Sequence, residues 1–172
     1  RNQNSPYRST LAKNQNQSDQ LGAMRHSAEH VLTMAMLKLY PGLLPAMGPA
    51  TDEGFYFDFD STKKIKETDF TRIEKEMLRI IKADLPIVHY EISAKEARKI
   101  FAGNSYKLEW VNQIKERGEM VSVYSIGDPK DKESFVDLCS GPHVESTGKI
   151  GPFKLLSIAG AYWHGDEKNK ML

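Results

Sequence analysis

The sequence predicts an α+β domain in which a mostly antiparallel sheet packs on one long central helix. Three observations carry that expectation. A helical stretch apolar round most of its girth runs up to Pro41-Gly42, and period-two alternation marks GFYFDFD (54–60) and IVHYEI (87–92). Helices and strands then follow one another without the regular βαβ alternation of a parallel sheet.

The elements follow in chain order. The opening RNQNSPYRSTLAKNQNQS is rich in Asn, Gln and Ser with almost nothing to bury, so residues 1–20 read as a flexible N-terminal arm. Ser18 or Asp19 then caps a helix through Leu21, Met24, His26, His30, Leu37 and Leu39. In GFYFDFD, Phe55, Phe57 and Phe59 alternate with Tyr56, Asp58 and Asp60, which gives a strand with one buried face. The face Phe70, Ile73, Met77, Ile80 and Ile81 predicts a helix ended by Leu85-Pro86. After the strand at 87–92, Ser93 and Glu96 form a capping box for a short helix closed by Gly103-Asn104. A helix over 107–117 and strands near 121–126, 135–139 and 153–158 complete the set, with Gly and Pro turns between them.

Composition narrows the function classes. With 172 residues, 24 Lys and Arg against 23 Asp and Glu, and a formal net charge of +1, no global field draws this chain to polyanions. Contact with a nucleic acid must therefore come from local patches. Cys139 is the only cysteine, which excludes an internal disulfide and suits a reducing cytoplasm. No apolar run of about 18 residues and no signal-peptide pattern is present, so a cytoplasmic location without a membrane partner is expected.

Two short motifs carry chemistry. HSAEH places His26 and His30 four apart, one helical turn, on the same face. DLCSGPH adds Cys139 and His143 around Gly141-Pro142. Two pairs of nitrogen and sulfur donors more than 100 residues apart in sequence form a set that tetrahedral zinc would accept. Either pair alone has a plain structural reading, since helices often carry two histidines and a buried lone cysteine acts as a small hydrophobe. Together they point to a site. HSAEH also matches the inverted zinc-peptidase pattern H-x-x-E-H, with Glu29 as general base, although such a site takes a downstream carboxylate ligand and not a C-x3-H pair. Glu29 is better read as supporting a histidine or an ion pair. His89 and His164 lack such company and read as structural or surface residues.

RHSAEH, GFYFDFD, SYK (105–107), DLCSGPH and AGAYWHGDEKNKML (159–172), in this order, resemble the second N-terminal, editing domain of threonyl-tRNA synthetases. Alanyl-tRNA synthetase editing domains carry a related H-x3-H plus C-x3-H set. The resemblance implies an aminoacyl-tRNA editing domain over 21–172 that hydrolyses Ser-tRNA(Thr), within a synthetase that joins threonine to tRNA(Thr) using ATP. The end of the chain is where that family continues into its catalytic body, so a fragment or a free-standing editor is expected. One missing methyl group is worth only about 1–3 kcal/mol of discrimination, so a synthetic site for threonine leaks serine and a second, hydrolytic sieve is needed.

Carried over position by position, the resemblance makes His26, His30, Cys139 and His143 line the pocket with Lys107 and Asp137, and brings Tyr56 and Phe57 to the substrate. His26 would orient or deprotonate water, Lys107 would stabilise the oxyanion or the tRNA 3′ end, and Asp137 would hold the serine ammonium or align a histidine. Taken alone, Lys107 is a solvated helix cap and Asp137 a loop hydrogen-bonder. The threonyl branch implies no required cofactor, with zinc on His26, His30, Cys139 and His143 as the alternative. The implied partners are the serine-bearing 3′ end of tRNA(Thr) and the rest of the synthetase. An inverted zinc metallopeptidase and a non-catalytic zinc or RNA-binding module are the competing functions. Departures from the family pattern are Phe57 in place of Tyr, and Ser140 and His164 where Arg is common. The basic clusters Lys63, Lys64 and Lys66, Arg98 and Lys99, and Lys168 and Lys170 read equally well as solvated surface.

Overall fold

A computed structural model describes the backbone of residues 6–172 and the side chains from residue 18 onward. Its first helix, α1 (Pro6–Leu39), is 34 residues long and starts well before Ser18 and Asp19. Of the expected arm, residues 6–20 are therefore helical, while 1–5 lie outside the described residues. Helix extension explains the difference. Once the packed half is formed, each further residue adds one hydrogen bond at little cost, and residues 7–40 contain no proline and one glycine. Pro6 itself suits the first turn, where its missing N–H has no partner to lose.

The packed half of α1 buries Val31, Leu32, Ala35 and Met36 against Ile73, Met77 and Ile80 of α2 (Phe70–Lys82). The i, i+4, i+7 spacing on α2 sets that stripe, and each large side chain so buried contributes about 1.5–3 kcal/mol.

The sheet is divided in two. β1 (Leu44–Met47) pairs antiparallel with β2 (Asp58–Asp60), and the register shifts between Pro45 and Met47. Only the last three residues of GFYFDFD thus form a ladder. Phe55, Phe57 and Phe59 nevertheless all pack on the main core, so the alternation reported the buried face correctly. Between these strands, Ala50 bridges Phe55, and Tyr56 N–H donates to the Pro49 carbonyl, making residues 48–57 a compact hairpin of their own.

The second sheet is an antiparallel meander, β3 (Ile87–Ile92), β4 (Val121–Ile126) and β5 (Phe135–Leu138), in that order. Its register sets Ile126 opposite Phe135 and Tyr124 opposite Asp137 on one face, and Val123 opposite Leu138 on the other. Ile126 and Phe135 join the core of α1 and α2. Val121, Val123 and Ile92 instead form a second core with Ala97 of α3 (Ala94–Ile100) and Val111 of α4 (Ser105–Glu116). The capping box forms as expected, with the Ser93 hydroxyl accepting the Glu96 N–H. Asn104 caps α4 by accepting the N–H groups of Tyr106 and Lys107, so this helix starts before 107 and places Lys107 in its first turn.

Residues 153–158 form no strand. Phe153 and Leu155 pack on the main core while Leu156 is exposed, so their alternation reflects an extended segment lying on apolar surface without a ladder partner. Among the described residues no helix is long and apolar enough to cross a membrane.

Candidate active site

Three faces of α1 near its middle do three jobs, because residues four apart stack on one side of a helix. His26 and His30 form the central face. On one flank Ser27 holds the 142–144 loop, and on the other Arg25 and Glu29 meet the 48–57 hairpin. The strand β5 ends at Leu138, which delivers Cys139 and the turn to His143 onto the central face. The ligand atoms of His26, His30, Cys139 and His143 all lie within 4.8 Å of one another. The sequence-predicted quartet is thus one cage.

Hydrogen bonds fix the protonation of two imidazoles. The Ser27 hydroxyl donates to the Ala23 carbonyl, so its oxygen accepts both the Val144 N–H at 3.0 Å and His143 Nδ1–H at 2.9 Å. The Pro142 carbonyl can only accept, so His26 Nδ1 carries a proton too, at 3.1 Å. Both rings therefore turn a bare Nε2 towards Cys139 Sγ, at 3.3 Å for His26 and 3.2 Å for His143. A thiol has one proton for two acceptors. The surplus lone pair suits a species that brings protons or positive charge, such as a water molecule or a metal ion.

Burial keeps these groups neutral. It pushes His143 down to about 2, His30 well below its ordinary value and His26 down as well, and it pushes the Cys139 thiol up to about 12. His30 is 2% exposed, and among the described residues its Nδ1 has no partner. Glu29, also 2% exposed, accepts from the Thr33 hydroxyl at 2.8 Å and lies 3.6 Å from His30 Nε2, too far for a hydrogen bond. Burial raises its carboxyl well above the usual range, which favours the neutral acid in the fold.

Lys107 and Asp137 are not the solvated cap and loop residue that each suggests alone. They form a buried ion pair, Nζ to Oδ1 2.7 Å, between the first turn of α4 and β5. Asp137 also accepts the Leu138 N–H. The pair's charges are felt at the cage, where Asp137 acts on His26 and Cys139 and Lys107 on His30.

A family profile described as Threonyl and Alanyl tRNA synthetase second additional domain matches residues 121–172. The chain is 48% identical over 152 residues to the threonine–tRNA ligase of Rubrobacter xylanophilus, a match covering 88% of this chain and 22% of that protein. It is 48% identical over 154 residues to that of Oleidesulfovibrio alaskensis, covering 88% and 23%, and 47% identical over 152 residues to that of Acetivibrio thermocellus, covering 87% and 23%.

The chain belongs to the threonyl-tRNA synthetase family, as its second additional domain.

It spans less than a quarter of the length of these three relatives. Within this synthetase domain, the two further candidates from GFYF lie in different settings. Phe57 is partly buried, tilted against Phe59 at 5.0 Å, with its Cβ 2.7 Å from where a Cβ on Gly48 would stand. Tyr56 is 46% exposed, and no hydrogen bond among the described residues ties it to the cage. His164 bonds Glu109 at 2.7 Å beside Trp163, away from the cage, as its surface reading expects. Lys170 pairs with Asp60, which gives that basic residue a structural use. A groove of about 650 Å³ bordered by Met34, Leu37, Ile80 and Phe135 includes none of the cage residues.

Ser27, Arg25, Thr33 and Gly48 were not foreseen. Serine inside a helix and glycine in a loop are common, and only the fold shows what their atoms touch. One signal was available: Ser27 follows Ala23 at helical spacing, the side of α1 that must be buried if His26 is to face a cavity.

Proposed function

We propose that this domain is an aminoacyl-tRNA ester hydrolase that removes serine from Ser-tRNA(Thr). The observation that carries the reading is the pair of bare Nε2 atoms, on His26 and His143, set against one thiol. A water donating to His26 Nε2 there is oriented and loses its proton to the imidazole as its oxygen attacks the ester carbonyl carbon. The resulting oxyanion is stabilised by the nearby Lys107 ammonium. The bond from that carbon to the terminal ribose oxygen then breaks, and the imidazolium returns the proton to the ribose. Serine and free tRNA are the products. Asp137 pairs with the serine ammonium, and Tyr56 and Phe57 contact the substrate from the hairpin.

His26, Cys139, His143 and His30 are also a donor set that fits zinc, which when bound would supply an acidified water. We take the domain to need no metal. The Sγ to Nε2 separations of 3.2 and 3.3 Å leave one thiol proton between two bare imidazole nitrogens, and a donating water satisfies the second. The whole protein, on this reading, ligates threonine to tRNA(Thr) with ATP in the cytoplasm, and this domain corrects its errors.

The test is deacylation of Ser-tRNA(Thr) and Thr-tRNA(Thr) by the chain and by its Cys139→Ala variant. The serine ester is expected to be hydrolysed with the threonine ester spared, and Cys139→Ala to slow the reaction about a hundredfold or more. Equal hydrolysis of both esters, or of neither, removes the proposal.

A further inference from the structure

Rejection of threonine by size needs a pocket wall that does not yield by the width of a methyl group. The 48–57 hairpin lies against Glu29, whose carboxyl is 3.6 Å from His30 Nε2 of the cage, and α1 grips it at two points one helical turn apart. Arg25 Nη1 donates to the carbonyls of Thr51 at 3.0 Å and Asp52 at 2.7 Å, across the hairpin tip. That tip is closed by the Thr51 hydroxyl accepting the Glu53 and Gly54 N–H groups. At the hairpin base, the backbone of Gly48 is pressed against the Glu29 carboxyl so closely that any Cβ would collide with it and with Phe57. Thr33 holds that carboxyl from below. Arg25 Nη1 gives both of these bonds to hairpin backbone carbonyls.

We infer that Arg25 and Glu29 act as a clamp that fixes the 48–57 hairpin as a wall of the cage and thereby determines which aminoacyl group is accepted. This rests on the hydrolase reading above. Both are positioning residues. Arg25 holds backbone carbonyls, and Glu29 acts through packing and the Thr33 bond, neither of which needs its charge.

The experiment compares the full chain with Arg25→Ala, Glu29→Ala and Glu29→Gln, measuring kcat and KM on both esters and hydrogen exchange of the hairpin amides. For Arg25→Ala, KM for the serine ester is expected to rise about tenfold with kcat changed less than threefold, and the preference for serine over threonine to fall about tenfold. The amides of Thr51 and Tyr56 are expected to exchange about tenfold faster, while those of 30–36 in α1 stay protected. Glu29→Ala should follow Arg25→Ala, and Glu29→Gln should restore selectivity. Loss of a positive charge that merely attracted tRNA would weaken both esters equally, and an unchanged preference overturns the inference. Unchanged exchange overturns it too, whatever the activity. A wild-type chain that hydrolyses neither ester removes the hydrolase reading instead, and exchange alone then decides whether the clamp exists.

Discussion

The Ser27 hydroxyl decides which nitrogen of His143 is bare: by giving its proton to Ala23 and accepting from Nδ1, it leaves Nε2 free 3.2 Å from Cys139 Sγ. Two chain segments separated by 116 residues meet at this one oxygen, which also receives the Val144 N–H. The chemistry of the cage depends on a residue that is not part of it.

Ser27→Ala leaves the Val144 N–H and His143 Nδ1–H buried without an acceptor. The variant is expected to lose about 1–3 kcal/mol in urea unfolding, and His143 to populate the other tautomer, visible in its ring nitrogen shifts. An unchanged tautomer in Ser27→Ala rules out this control.

Acid should destabilise the domain early. His30 and His143 are held well below 6.5 in the fold, so the unfolded chain binds protons first as pH falls through 6.5 and stability drops. Each contributes up to about 1.4 kcal/mol per pH unit, and the more open His26 contributes less. Glu29 acts oppositely: its raised value means the fold holds a proton that the unfolded chain releases above about 4.5, so stability falls as pH rises. With two histidines against one carboxyl, stability rises from pH 5 towards 6.5. Urea titrations at pH 5 and 6.5 with chelator present check this, and Glu29→Gln should steepen the rise. A profile level between pH 5 and 6.5 contradicts it.

Breaking the buried Lys107–Asp137 pair on one side strands a charge. Lys107→Met or Asp137→Asn should each cost about 3–5 kcal/mol, whereas the double variant Lys107→Met with Asp137→Leu should regain most of the stability. Ester hydrolysis should stay lost in the double variant. Recovery of both together would reduce the pair to a structural role.

Gly141 sits at φ +75°, and a Cβ there would collide with the Tyr124 hydroxyl and reach 3.0 Å from its Cζ. Gly141→Ala is expected to cost about 2 kcal/mol or more and to displace His143, whose ring lies 4.4 Å from that of Tyr124. Calorimetry with a stability change under 0.5 kcal/mol would contradict the packing argument.

Dialysis against a chelator should leave serine-ester hydrolysis unchanged, with less than about 0.1 equivalent of zinc remaining by elemental analysis. Loss of activity restored by added zinc would replace the water-only mechanism with a metal-assisted one.

The spacing in HSAEH and DLCSGPH made the cage quartet legible, because one helical turn and one tight turn each place two donors side by side whatever the rest of the fold does. IVHYEI and the α2 stripe were legible for the same reason, since their periods are local. α1 starts earlier than its composition suggests because a polar stretch extends a helix as readily as it forms a coil once a packed end exists. Residues 153–158 misled because alternation records which side chains face apolar surface, and an extended segment needs no ladder partner for that.

Local chemistry alone, then, settled the donor types, their pairing along the chain and the α+β class, since these follow from periods of two and 3.6 residues. Folding over long range decided the rest: that both donor pairs meet in one cluster, that Lys107 reaches Asp137, and that Ser27, Arg25 and Gly48 hold the segments around it. Those contacts join residues tens to more than a hundred positions apart, and no periodicity in a single chain encodes which distant backbone atom will be waiting.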